Sequence, residues 1–240
     1  MKVNIKMLET KSKFEKITAP GLDFNLPSIT GSDGGRVYTT PQGNHYPSAS
    51  TISRILSRDG IAAWRARVGD AAADKKTKRG ANRGTGVHLM CEKYMISGLS
   101  PMERAGMMPT TKELFLQIQR KLDNHVKQVY AVEQGLYSDR LRIAGRADAI
   151  AIWDDEIAIL DFKTAEKSKP EAWILNYFVQ ATAYAEMFEE RTGLPIRKLV
   201  ILMALETEPH PVVYLKEKEP YLPVLQKCID TYYEENPIVR

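Results

Sequence analysis

The chain has 240 residues, 43% hydrophobic and 27% charged, proportions that suit a folded protein with a core of its own. Its 34 Lys and Arg against 30 Asp and Glu leave a net charge of +4, which admits a nucleic-acid partner without requiring one. Two cysteines, Cys91 and Cys228, are too few for a disulfide framework, a cysteine-rich zinc site or a four-cysteine iron–sulfur cluster.

No apolar run approaches the roughly 18 residues of a membrane span, so no membrane partner is expected. The first residues, MKVNIKMLETKSKFEK, have no apolar signal core, and they carry Glu9 and Glu15 but no Arg. That pattern predicts neither secretion nor mitochondrial import, and a cytoplasmic protein is the expectation. Residues 1–46 read as an irregular, turn-rich extension, with a short strand around Val37–Thr39 and a turn at Gln42–Asn44.

Residues 47–240 read as one domain, a helical part over 47–131 and a sheet core over 132–240. In PSASTISRIL, Ser48 or Ser50 can cap the first helix. A basic run follows, with Lys75, Lys76, Lys78, Arg79 and Arg83 close together. A run of this kind is commonly a solvated linker, but its position before the next helix also suits contact with phosphates. GTGVHLMCEKYMISG predicts a helix over about 86–97 that ends at Gly98. An amphipathic helix is expected over about 110–130, with Leu114, Ile118, Leu122, Val126 and Val129 on one face.

The period then changes. YAVEQGLYSDRLRIAGRADAIAIWDDEIAILDFKT reads as three strands, with turns at Ser138–Asp139 and Asp154–Asp155. EAWILNYFVQATAYAEMFEERTG is a helix, KLVILMAL a buried strand, and YLPVLQKCIDTYYEE a last helix. The fold class is therefore mixed α/β, a central sheet covered by helices. If Asp154–Asp155 is a two-residue turn, Trp153 pairs with Glu156, and the same register sets Asp148 opposite Asp161 on one face. Lys163 shares that face. Like charges placed opposite each other repel. A divalent cation would relieve the repulsion, as would neutralisation by Arg146 and Lys163 in a surface charge lattice.

GRAD (145–148) followed by LDFKT (160–164) resembles the PD-(D/E)XK nuclease superfamily, with Asp148 as its first acid and Asp161-Phe162-Lys163 as its D-x-K. Ala147 stands where that motif's name has Pro. GTGVHLMCE (84–92) resembles the Gly-x-x-x-His helix of the RecB-like branch, and QATAY (180–184) its Gln-x-x-x-Tyr. Within that branch, ILDFKTAEKSKP and YPSASTISRIL are similar to the mitochondrial genome maintenance exonuclease type. The likeness spans roughly residues 46 to 235.

The resemblance implies a restriction-endonuclease-like core and a DNA exonuclease that prefers single strands with a free end, in replication, recombination or repair, with proteins of those processes as partners. An endonuclease of the same superfamily, or a catalytically silent DNA-binding subunit, are the alternatives. It implies one or two Mg2+ or Mn2+ ions held by His88, Asp148, Asp161 and the backbone carbonyl of Phe162. Lys163 would orient or activate the attacking water and stabilise charge on the phosphate. Gln180 would sit near the water or phosphate, and Tyr184 against the DNA, although a tyrosine in so apolar a helix also suits the core. The run from Lys75 to Arg83 would meet phosphates near the strand's point of access. Glu92, one turn after His88, and Glu133, at the end of a strand, are weaker acidic candidates. Trp64 and the tyrosines are candidates for stacking bases.

Overall fold

The computed structural model describes residues 11–22, 25–31 and 34–237. A two-residue strand β1 (Glu15–Lys16) precedes a small antiparallel sheet of β2 (Ser28–Thr30), β3 (Arg36–Thr39) and β4 (His45–Pro47). The helical part holds α1 (Ala49–Ser53), α2 (Arg58–Val68), α3 (Asp70–Ser97), α4 (Pro101–Gly106) and α5 (Pro109–His125). Then come β5 (Val126–Ser138), β6 (Ile143–Trp153), β7 (Glu156–Ala165), α6 (Leu175–Thr192), β8 (Lys198–Leu205), β9 (Val212–Glu217) and α7 (Leu222–Glu235).

The main sheet runs β1-β5-β6-β7-β8-β9. Its β5–β6, β6–β7 and β8–β9 pairs are antiparallel, while β1–β5 and β7–β8 are parallel. The parallel β7–β8 pair requires a crossover, and α6 supplies it. Alternation along β6 and β7 feeds two cores. Ile150 opposite Ile159 packs among residues of α1, α6 and α7, whereas Ala149 opposite Leu160 packs among residues of α3 and α5. Each core holds one free cysteine, Cys228 in the first and Cys91 in the second, and both are buried.

Several local expectations hold. Ser48 is the first cap, its hydroxyl accepting from Thr51 N at 3.0 Å. Asp154 and Asp155 have φ of 46° and 69°, which makes a two-residue turn whose twist suits a tight hairpin, and Trp153 pairs with Glu156.

Four expectations are corrected. The helix expected to begin near 86 begins at Asp70, so the basic run is helical rather than a linker. Alanines, Lys and Arg in its first half are good helix formers, and they offset the cost of about 1 kcal/mol for each interior glycine. The helix expected to reach 130 stops at His125, and Val126 and Val129 belong to β5, paired with Trp153 and Ala151. Two β-branched residues whose spacing also suited a helix find strand partners there. Strand β9 was unforeseen, because six residues at a sheet edge with a polar end show little alternation. Within the segment expected to be irregular, the described residues include ordered strands. Phe14 and Leu26 are buried, and β1 adds to the main sheet.

Candidate active site

The β6–β7 ladder closes at Ala149 and Leu160, one pair short of the two acids. Beyond it the strands separate, and the Asp148 side chain takes the place of the missing main-chain partner: Phe162 N donates to its Oδ2 at 2.7 Å. This leaves the Phe162 carbonyl facing α3, where His88 Nε2 contacts it at 2.6 Å while Nδ1 lies 3.4 Å from Asp148 Oδ1. Adjacent ligands of one octahedral ion sit about 3 Å apart, and the His88–carbonyl contact is close to that spacing.

Two close approaches frame the site, and the second depends on a glycine. A Cβ on Gly84 would be 3.7 Å from Thr164 at the end of β7, so the helix lies against that strand one turn before His88. A Cβ on Gly145 would come within 2.8 Å of Tyr184 Cε1, closer than packed atoms allow, so the bare backbone of β6 admits that ring.

Asp161 is 1% exposed and Lys163 Nζ hydrogen-bonds its Oδ1 at 2.7 Å. The ammonium is also 2.6 Å from Oδ2, but at an angle that makes no hydrogen bond. Lys163 thus sits across both oxygens of the buried Asp161 carboxylate. The Lys163 ammonium also lies 5.0 Å from the centre of the Tyr177 ring. From α6, Gln180 Nε2 donates to the Tyr184 hydroxyl at 3.0 Å.

A third acid joins these two. Val132 pairs with Ala149 and Gln134 with Ala147, which sets Glu133 across from Asp148 on the other side of β6. Its φ is 51°, a left-handed conformation rare outside glycine, and His88, Glu133 and Asp148 present ligand atoms all within 4.8 Å of one another. Glu133, Asp148 and Asp161 therefore form a row across three adjacent strands.

The charges are strongly coupled. Burial pushes Asp161 up to about 6, with Asp148 adding to the rise and Lys163 opposing it. Glu133 rises to about 7, from burial and then from Asp148 and Glu92. Burial also acts to raise Asp148, but His88, Lys163 and the Phe162 N–H outweigh it and hold the carboxyl below its ordinary value. On His88 and Lys163 burial favours the neutral forms, and the facing acids outweigh it, so both are pushed upward. Three acids gathered around one imidazole and one ammonium are short of positive charge, and the donors are hard oxygens and an imidazole. That set fits Mg2+ or Mn2+.

His88, Glu133, Asp148, Lys163, Gln180 and Tyr184 line a cavity of about 230 Å3 that also takes in Arg36, Tyr38, Ser48, Ser50 and Arg146, while Asp161 lies buried behind it. Arg36 and Tyr38 come from the small N-terminal sheet, and no motif in the sequence marks them. Glu92 lies outside the lining. Tyr184 is only 4% exposed, and it meets the cavity from within the core. The basic run divides. Arg83 donates to Thr164 and pairs with Glu206 at 2.5 Å, and Arg79 pairs with the same carboxylate at 2.9 Å. Lys75, Lys76 and Lys78 are exposed on the first turns of α3, away from the cavity.

No helix among the described residues is long and apolar enough to cross a membrane. No curated protein sequence matches the chain. Among solved structures, the chain is similar to a "Putative exonuclease" from Eubacterium rectale, at 12% identity and a TM-score of 0.45 over 65% of each chain. It is also similar to SSO0001, at 13% identity and a TM-score of 0.40, over 79% of this chain and 75% of that one. The family model of the PD-(D/E)XK nuclease superfamily matches residues 61–232, a span that takes in His88, Asp148, Asp161, Lys163 and Gln180. The chain belongs to the PD-(D/E)XK nuclease superfamily.

Proposed function

We propose that the protein is a metal-dependent exonuclease of the RecB-like branch, of the mitochondrial genome maintenance exonuclease type, that hydrolyses phosphodiester bonds in single-stranded DNA. It would act in the cytoplasm on strands with a free end that arise in replication, recombination or repair. The observation that carries the reading is the meeting of His88, Asp148 and the Phe162 carbonyl, supplied by a helix and two strands, beside a buried Asp161–Lys163 pair. A binding module needs no such arrangement. In this reading residues 47–240 are the nuclease domain, and residues 1–46 are an extension that lends Arg36 and Tyr38 to its cavity.

His88, Asp148, Asp161 and the Phe162 carbonyl would hold the ion, with Glu133 as a further acid beside it. A divalent cation held there would polarise the scissile phosphate and lower the pKa of a bound water. Lys163, kept charged by two acids, faces the same cavity and stabilises the negative charge that develops on the phosphate. Gln180 spends its amide N–H on Tyr184, which leaves its carbonyl oxygen free to accept a proton-bearing group such as the attacking water. Arg146 and Arg36 at the rim favour the polyanion's approach.

The test is cleavage of end-labelled linear single strands against covalently closed single-stranded circles, in Mg2+ and in EDTA. We expect the linear strand to be degraded in Mg2+ alone and the circle to survive. Cutting of the circle would replace the exonuclease with an endonuclease. Absence of metal-dependent cleavage of any DNA would remove the enzyme and leave a DNA-binding subunit.

A further inference from the structure

Beside the cavity lies a second and larger depression, about 700 Å3, between α2 and the segment that leads into α6. Its walls are mostly apolar and include two tryptophans, Trp64 and Trp173. Trp173 is 74% exposed, an unusual state for the largest side chain in a folded protein. Arg67 and Lys169 also line it, and among the described residues no acid does. The charge is therefore one-sided in a place rich in flat apolar surface.

The depression is joined to the catalytic residues. Tyr177 has Lys163 over its ring at 5.0 Å and Lys169 at 5.9 Å, so one aromatic ring separates the reacting lysine from a lysine of the groove. Tyr177 precedes Gln180 by three residues on α6 and shares its face. A chain of phosphates that begins at Lys163 would meet Lys169 next, and its bases would lie beside Trp173 and Trp64.

We infer that this groove is a base-stacking subsite for single-stranded nucleic acid, with Trp64 and Trp173 under the bases and Arg67 and Lys169 on the phosphates. The inference rests on the nuclease reading for its occupant, although the groove's binding can be measured without cleavage. Duplex bases are stacked on each other and offer no free face to a tryptophan, so the subsite selects unpaired strands. Stacking is indifferent to base identity, so the subsite gives strand selectivity without sequence selectivity.

The test uses the whole protein in EDTA, which separates binding from hydrolysis. Trp153 is 1% exposed, so strand-dependent changes in tryptophan fluorescence report on the other two tryptophans. An eight-nucleotide oligo-dT should quench that emission, and an abasic sugar-phosphate strand of the same length should bind about 5- to 100-fold more weakly. Trp173→Ala should clearly reduce that difference, leaving the part owed to Trp64, and Trp173→Phe should restore it. Because Trp173 is exposed, the variant should keep the wild-type Tm, which confirms that it is folded. Equal binding of dT and abasic strands by the wild type, or equal losses for both in Trp173→Ala, would overturn the subsite. So would quenching by an apolar peptide but by neither strand. Quenching by oligo-dT from a protein that cleaves no DNA in Mg2+ would retain the subsite and remove the nuclease.

Discussion

The β6–β7 hairpin and helix α3 supply the same site in opposite ways. The hairpin aligns Asp148 and Asp161 through a register that one two-residue turn dictates, using contacts close in sequence. Helix α3 brings His88 from far along the chain, and it arrives only because the helix packs against the end of β7 at Gly84. One component is fixed by local geometry and the other by tertiary docking. Changes to hairpin side chains should therefore leave the backbone in place, and the histidine should fail by weakened metal binding or by displacement.

The largest effect expected is on the hairpin side. Asp161→Asn and Lys163→Gln should each lower metal-dependent cleavage by about 100- to 1,000-fold, the cost of removing one group aimed at developing charge. Circular dichroism should remain that of the wild type in both, and added Mn2+ should not rescue Lys163→Gln, whose ammonium binds no metal. Full activity in either variant would break the mechanism. His88→Ala should behave differently. Its half-maximal Mn2+ concentration should rise about tenfold or more, and excess Mn2+ should recover much of the rate. A loss that metal does not rescue would place His88 in the chemistry rather than in ion binding.

Smaller effects probe the packing. Gly145→Ala should cost about 1–3 kcal/mol, because the new methyl must displace the Tyr184 ring, and thermal unfolding should shift down by roughly 2–10 °C. Gly84→Ala should be neutral or slightly stabilising, since its Cβ would meet only ordinary contact at 3.7 Å and alanine favours a helix. Gly84→Leu should instead push α3 off β7 and lower activity with little change in far-UV dichroism. Equal behaviour of the two Gly84 variants would show that the helix is not seated there.

The smallest effect is in pH. Asp161 and Glu133 bind protons more readily when folded than when unfolded. A raised acid adds stability below its unfolded pKa and loses it as the pH climbs through the folded value. In metal-free protein the Tm should therefore fall by a few degrees between about pH 4 and pH 7, once solvent screening of the partly exposed Glu133 is allowed for. Mg2+ or Mn2+ should flatten the decline. A metal-free Tm that rises over the same range would contradict the charge balance described for the three acids.

The same contrast explains what the sequence disclosed. Asp154–Asp155 announces its own turn type, so Asp148 and Asp161 could be set facing each other by counting outward. Even there the ladder stops one pair early, because Asp148 captures the Phe162 N–H, and a side chain that competes for a main-chain donor is invisible to counting. Glu133 reads only as a weaker candidate at a strand end, because the β5–β6 register is interrupted near Val129 and the connecting turn places Arg142 at φ 56°, so no count from that turn is secure. Had the register been known, its position opposite Asp148 would have marked it at once. The early start of α3 was hidden by its glycines. The groove needed Trp64 and Trp173 together, and only the packing of α2 against the lead-in to α6 unites them.

The two cysteines lie in different cores, one on each side of the sheet, and both thiols are pushed upward by burial. Neither is open to alkylation in the folded state. The rate at which each is captured by a thiol reagent thus measures how often its own layer opens. Cys91 times the detachment of the helix that carries His88, and Cys228 times that of α7 on the opposite side. The chain holds a pair of internal clocks, one for each layer, and adding a divalent ion should slow the first more than the second.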